Sequence, residues 1–138
     1  MKVDLNKYLG KWYEVARLNN NFQPNMNNVE AEYSLNDDGT IKVINSGYIN
    51  GEFKQLVGNA IMTEQDDLLK VSFYPGIYLD YKILAIDKDY QYALIAGQNK
   101  NLLWILSRTS NIDKFIYNKF IEIAEKNGFN TNKLIISE

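Results

Sequence analysis

The stretch GKWYEVAR, residues 10–17, places Trp12 two residues after Gly10 at the start of an alternating run. The other tryptophan of the chain opens a near mirror of it, WILSR, residues 104–108. Arg17 and Arg108, which close these two stretches, are the only arginines present. Apolar and polar residues that alternate over four to eight positions have the period of a half-buried strand. Both stretches therefore read as strands, one near each end of a series.

Working outward, eight such runs are predicted, at 12–18, 29–35, 41–49, 53–63, 68–74, 78–86, 90–96 and 102–107. The separators are turn chemistry: Asn36-Asp-Asp-Gly39, Asn50-Gly51, residues 64–67, Pro75-Gly76, residues 87–89 and residues 98–101. Short strands joined by hairpins, with no long crossover, predict an all-β fold, an eight-stranded antiparallel up-and-down barrel. Closure leaves no exposed strand edge.

Two segments break the rhythm. Residues 18–28 form a long polar loop that holds Phe22, Pro24 and Met26. Loops of this length in a compact domain often serve as lids, so Phe22 and Met26 are lid candidates. Residues 110–128 switch to helical period, with Ile112, Phe115, Ile116, Phe120, Ile123 and Ala124 on one stripe. Ser110 with Asp113 resembles a capping box, and Gly128 suits the left-handed residue after a helix end. The polar face carries Asp113, Lys114, Lys119, Glu122, Glu125 and Lys126, a mixture unlike the basic face of an interfacial helix. The helix is expected to pack outside the barrel. Residues 133–137 suit a short ninth strand.

Composition narrows the chemistry. The 138 residues suit one domain, 1–138, with one core. A hydrophobic fraction of 46% is enough to pack it, which excludes disorder. A net charge of −2 with no basic run argues against nucleic acid. With no cysteine and no histidine, thiol chemistry and the commonest base and metal ligand are absent. Asp37-Asp38 and Asp66-Asp67 sit in turns and read as solvated acids rather than a catalytic pair. No enzymatic activity, cofactor or metal is expected. The start has no apolar run of signal-peptide length. A cell-envelope location is expected if a leader has been removed, with membrane association through it, and a cytoplasmic one if the chain is complete.

Gly10-x-Trp12, Asp87-Lys-Asp-Tyr90 and Arg108 before the helix, in that order, resemble the three signature regions of lipocalins. GKWYEVAR, AEYSLNDDGTIKVIN, LKVSF, DKDYQYALIAG and WILSRT are similar to the branch of bacterial outer-membrane lipocalins and apolipoprotein D. The resemblance implies that Trp12 plugs the closed end of the barrel and that Arg108 packs across its indole, a structural pair. A guanidinium over an indole is favourable by ~0.5–2 kcal/mol. It also implies that Tyr33, Asn45 and Trp104 contact ligand, and that two polar contacts of that pocket are replaced here by Gly47 and Ile49.

Alternation along each strand then supplies the rest of the expected interior. Glu14 and Ala16 follow Trp12, and Leu102 and Leu106 flank Trp104. Ala31, Leu35, Val43, Leu56, Ala60, Met62, Val71, Phe73, Tyr81, Ile83, Ala93 and Ile95 are the inward choices on the other strands. Glu14 resists burial as a carboxylate unless it finds a partner. The resemblance implies a small hydrophobic ligand, an acyl-chain lipid such as a fatty acid or lysophospholipid, held for storage, carriage or scavenging. The alternatives are a carrier of another small hydrophobic ligand, or a filled barrel that binds protein or forms a homodimer through surface aromatics such as Tyr13, Tyr48 and Tyr92.

Overall fold

The computed structural model describes residues 2–18 and 26–136. A one-turn helix, α1 (Leu5–Tyr8), leads into eight strands. These are β1 (Gly10–Leu18), β2 (Asn27–Leu35), β3 (Ile41–Ile49), β4 (Glu52–Met62), β5 (Leu68–Tyr74), β6 (Ile77–Ile86), β7 (Tyr92–Ala96) and β8 (Leu103–Ser107). A longer helix, α2 (Lys114–Lys126), and a short strand, β9 (Leu134–Ile136), follow. Consecutive strands pair antiparallel from β1 to β8, and β8 pairs back onto β1. The sheet is thus a closed barrel. The β9 strand adds to the outer part of β1, opposite Ala16, Arg17 and Leu18.

Turn chemistry sets the ends of the strands. Asn50 and Gly51 both have positive φ, 53° and 79°, as the two central residues of a tight hairpin require. The β7 strand starts at Tyr92, two residues later than the pattern at 90–96 predicts. The cause is Asp87, whose carboxylate accepts the backbone N–H groups of Gln91 and Tyr92 at 2.6 and 2.7 Å. These bonds hold residues 87–91 as a turn, with Tyr90 at φ 56°.

The α2 helix begins later than residue 110. Its cap is Asp113, not Ser110, and its carboxylate accepts from Phe115 and Ile116 N–H at 2.9 and 3.2 Å. Ile116, Phe120, Ile123 and Ala124 face the barrel, packed with Val15, Ala16, Leu94, Ala96, Leu103 and Ile105 on its outer wall. Phe115, expected on the same stripe, is 73% exposed. It sits in the first turn, beyond the edge of that contact. A second core lies inside the barrel, around Trp12, Tyr8, Ile41, Leu69, Ile83, Ala93 and Leu106.

Strand alternation assigns the two ends. The turns at 36–40, 63–67 and 87–91 lie with α1 at one end. Those at 50–51, 75–76 and 97–102 lie at the other. The first end is closed, and the cavity lies toward the second.

Candidate functional site

The closed end is built on Trp12 and Arg108. Trp12 is fully buried, and its indole N–H donates to the Tyr8 carbonyl at 2.8 Å. The Arg108 guanidinium lies 3.7 Å from the centre of the indole ring. Its nitrogens donate to the carbonyls of Tyr90, Lys11, Lys7 and Tyr8 at 2.9–3.1 Å. One planar fork thus ties α1, β1 and the turn before β7 together, which an ammonium could not do. Gly10 has φ +104°, and a Cβ there would come within 3.3 Å of the guanidinium. That explains the glycine two residues before the tryptophan.

Above the floor lies a row of phenols that sequence alternation found only in part. The hydroxyl of Tyr81 contacts the hydroxyl of Tyr8 and, at 2.9 Å, that of Tyr33. Desolvation pushes the Tyr33 phenol up to about 12 and the other two well above the ordinary tyrosine value. All three are neutral at physiological pH. Tyr8 was missed because it precedes the first strand, on a helix of four residues with no periodicity to read.

The wall of β1 departs from plain alternation. Glu14 pairs with Leu106, but Ala16 pairs with Ile105, so Val15 is an extra residue in a bulge. Val15 and Ala16 both turn outward, toward α2. Ala16 therefore does not face the interior as expected. The shifted phase brings Arg17 to the same side as Glu14, and the two form a buried ion pair at 2.7 Å. Each is 4% exposed. Arg17 also donates to the Met26 carbonyl at 3.0 Å. Glu14 thus has the partner that its burial demands. A bulge leaves no signature in the apolar pattern, so that partner was not predicted.

Between phenols and mouth lies a cavity. It opens at the mouth, and the space inside it that the centre of a water-sized sphere can reach is about 130 Å³. The structure places Glu14, Ala31, Tyr33, Val43, Asn45, Val71, Phe73, Tyr81, Ile95, Trp104 and Leu106 around it. Leu56, Leu102 and Met26 join them. Val29 and Leu79 continue the phase of neighbours already chosen, and extending each pattern by one step finds them. Asp80 is out of phase and reaches the cavity at its rim, in an ion pair with Lys70.

Besides Ala16, and Ala60, which is fully buried in the inner core, several expected residues do not line the cavity. Ile83 and Ala93 point inward but are fully buried with Trp12 in the packed closed half. Gly47 is covered, because the space its missing side chain leaves holds Met26, whose Cγ would lie 2.7 Å from an added Cβ. Met62 is 55% exposed, as is Leu35. Both have inward phase but sit where their strands run out at the closed end. Phe22 lies outside the described residues. Of the surface aromatics, Tyr48 is exposed, while Tyr13 and Tyr92 are half-buried. Among the described residues no cluster of acidic side chains could hold a metal ion.

A closed antiparallel barrel with one apolar internal cavity and a plugged floor defines a calyx. The chain belongs to the lipocalin family: a model described as a lipocalin-like domain matches residues 3–138. The outer membrane lipoprotein Blc of Vibrio cholerae is 44% identical over 137 residues, 96% of this chain and 80% of the relative. Temperature-induced lipocalin-1 of Arabidopsis thaliana is 38% identical over 143 residues, 96% and 77%. Apolipoprotein D of Cavia porcellus is 30% identical over 146 residues, 98% and 76%. The solved structure of lobster apocrustacyanin A1 shares the fold, with a TM-score of 0.79 at 20% identity, over 96% of this chain and 77% of that one. Lipocalins are in general binding and carrier proteins for small hydrophobic molecules.

Proposed function

We propose that this lipocalin carries a single-chain lipid, a fatty acid or a lysophospholipid, in its barrel, and that it does so at the cell envelope. The observation that carries the reading is the cavity itself, walled by Val43, Val71, Phe73, Ile95, Trp104 and Leu106. Each methylene moved from water into such a wall contributes ~0.8 kcal/mol before ordering costs. A long acyl chain therefore suffices for micromolar binding or better. The envelope location rests on the relatives named outer membrane lipoprotein.

The test is native purification, solvent extraction and mass spectrometry of the extract. Titration of the stripped protein with an acyl lipid, followed by tryptophan fluorescence, accompanies it. A stoichiometric lipid, or saturable quenching that disappears in Trp104→Phe, supports the carrier. An empty extract with no response to any acyl compound sinks it. A surface role then takes its place, for which the exposed Tyr48–Phe53 pair, 5.5 Å between ring centres, is the natural starting point.

A further inference from the structure

The row of phenols at the cavity floor has one proton more than it has partners. Three neutral hydroxyls carry three protons. Two oxygen–oxygen contacts, Tyr8–Tyr81 and Tyr33–Tyr81, use two of them. The third must point elsewhere, and three arrangements exist. If Tyr33 donates to Tyr81 and Tyr81 to Tyr8, the spare proton lies on Tyr8. That residue is fully buried and does not line the cavity, and among the described residues its hydroxyl meets only that of Tyr81. A buried donor left unmade is costly. In the other two arrangements the spare proton lies on Tyr33 or on Tyr81. Both line the cavity. The network therefore offers one hydrogen-bond donor upward from the floor.

We infer that the cavity floor is a subsite for an uncharged oxygen acceptor, a hydroxyl or carbonyl, at the inner end of an otherwise apolar ligand. The inference rests on the lipid-carrier reading and says which end of the lipid enters first. A chain that brings only its terminal methyl to the floor must strand the phenol proton or leave a water there. The charge preference comes from desolvation. The cavity wall is mostly apolar, and the Glu14 carboxylate on it is already paired with Arg17. A carboxylate carried to the floor therefore gives up more hydration than one phenol restores, while a hydroxyl or carbonyl gives up little. The hydrocarbon then lies against Val71, Phe73, Leu79, Ile95 and Leu102 on the way to the mouth. A lysophospholipid head is too large and too charged to reach the floor, so that lipid forgoes this bond.

The test compares three probes of equal chain length: dodecanol, dodecanoate and lauroyl lysophosphatidylcholine. Each is titrated by calorimetry into the wild-type protein and into Y8F/Y33F/Y81F. The triple substitution removes all three hydroxyls together, so no phenol is stranded and the packing shape is kept. Wild type is expected to bind dodecanol about tenfold more tightly than dodecanoate, the worth of one neutral hydrogen bond. The variant is expected to lose that preference, because dodecanol no longer finds a donor at the floor and the methyl ends of the other two probes no longer strand one. A second readout needs no variant: with carbon-13-labelled tyrosine, Cζ resonances of the floor phenols move with dodecanol and not with the lysophospholipid. If all three probes bind but the preference is absent, or survives in the variant, or the Cζ resonances respond alike to alcohol and lysophospholipid, the floor inference falls and the carrier reading stands. If no probe binds wild type, both fall.

Discussion

The floor and the wall of this barrel each centre on one arginine, and the two do opposite work. Arg108 lies half-buried outside the plug, stacked on Trp12, and satisfies four backbone carbonyls. Arg17 lies buried in the wall and neutralises Glu14. The floor arginine is a clamp whose partners are fixed dipoles. The wall arginine is a counter-charge whose partner is costly without it. Equal residues thus carry different free energies, because the cost of desolvation depends on what remains if one partner leaves.

The comparison breaks most sharply at Arg17. Arg17→Met leaves the Glu14 carboxylate buried without its counter-charge and should cost about 3–5 kcal/mol in urea unfolding. Adding Glu14→Gln to Arg17→Met should recover most of that loss. A double variant as unstable as the single one would mean that Arg17 acts chiefly through its bond to Met26 rather than through charge.

The phenols give the next largest effect. Tyr33 has a folded pKa of about 12 against an ordinary value near 10. The neutral form is thus favoured in the native state. The stabilisation is complete below about pH 10 and is lost as pH rises through the folded value. A shift of this size corresponds to about 2–3 kcal/mol, lost between about pH 10 and 12. Tyr8 and Tyr81 shift in the same direction and extend the loss to higher pH. Spectrophotometric titration should show these three phenols ionising only with unfolding, after the exposed tyrosines. Ionisation of all ten tyrosines in one step near pH 10 would contradict the buried row.

Arg108→Lys is expected to cost less, about 2 kcal/mol. Most of the four hydrogen bonds go, each worth ~0.5–1.5 kcal/mol net, but the site is open enough for water to replace some of them. Ligand affinity should stay within twofold, because no atom of Arg108 reaches the cavity. A large loss of binding with small loss of stability would move Arg108 from floor to site.

The same contrast shows what could be read from residue order. Strand number and turn positions follow from period and turn residues, local chemistry that a sequence displays directly. The Trp12–Arg108 pair follows from the family resemblance. Of the cavity wall residues named in advance, Tyr33, Asn45 and Trp104 follow from the family resemblance, and the others, Leu56 and Leu102 among them, from phase along the strands. The failures have one physical cause, which is that phase can shift or run out. The bulge at Val15 reverses the side on which Ala16 and Arg17 fall, and nothing in the string VAR marks it. Depth along the barrel is equally silent. Ile83 and Ala93 share the phase of cavity residues but lie in the packed half, where the strands converge on Trp12. Tyr8 belongs to no periodic element at all.

Met62 provides the smallest and most diagnostic prediction. It is two residues beyond Ala60, which is fully buried, and so shares its inward phase. Its partner across the ladder is Leu69, 2% exposed, yet Met62 itself is 55% exposed. The β3 strand begins at Ile41, opposite Ala60, so on that side no strand extends far enough to cover residue 62. Inward phase therefore buries a side chain only where strands stand on both sides of it. Met62→Ser should change stability by no more than about 0.5 kcal/mol, the range of an ordinary surface substitution, and leave lipid affinity untouched. Ala60→Ser, by contrast, puts a hydroxyl among apolar neighbours and should cost about 1–3 kcal/mol. Equal costs at the two positions would show that the barrel interior continues past Ala60 to the end of β4.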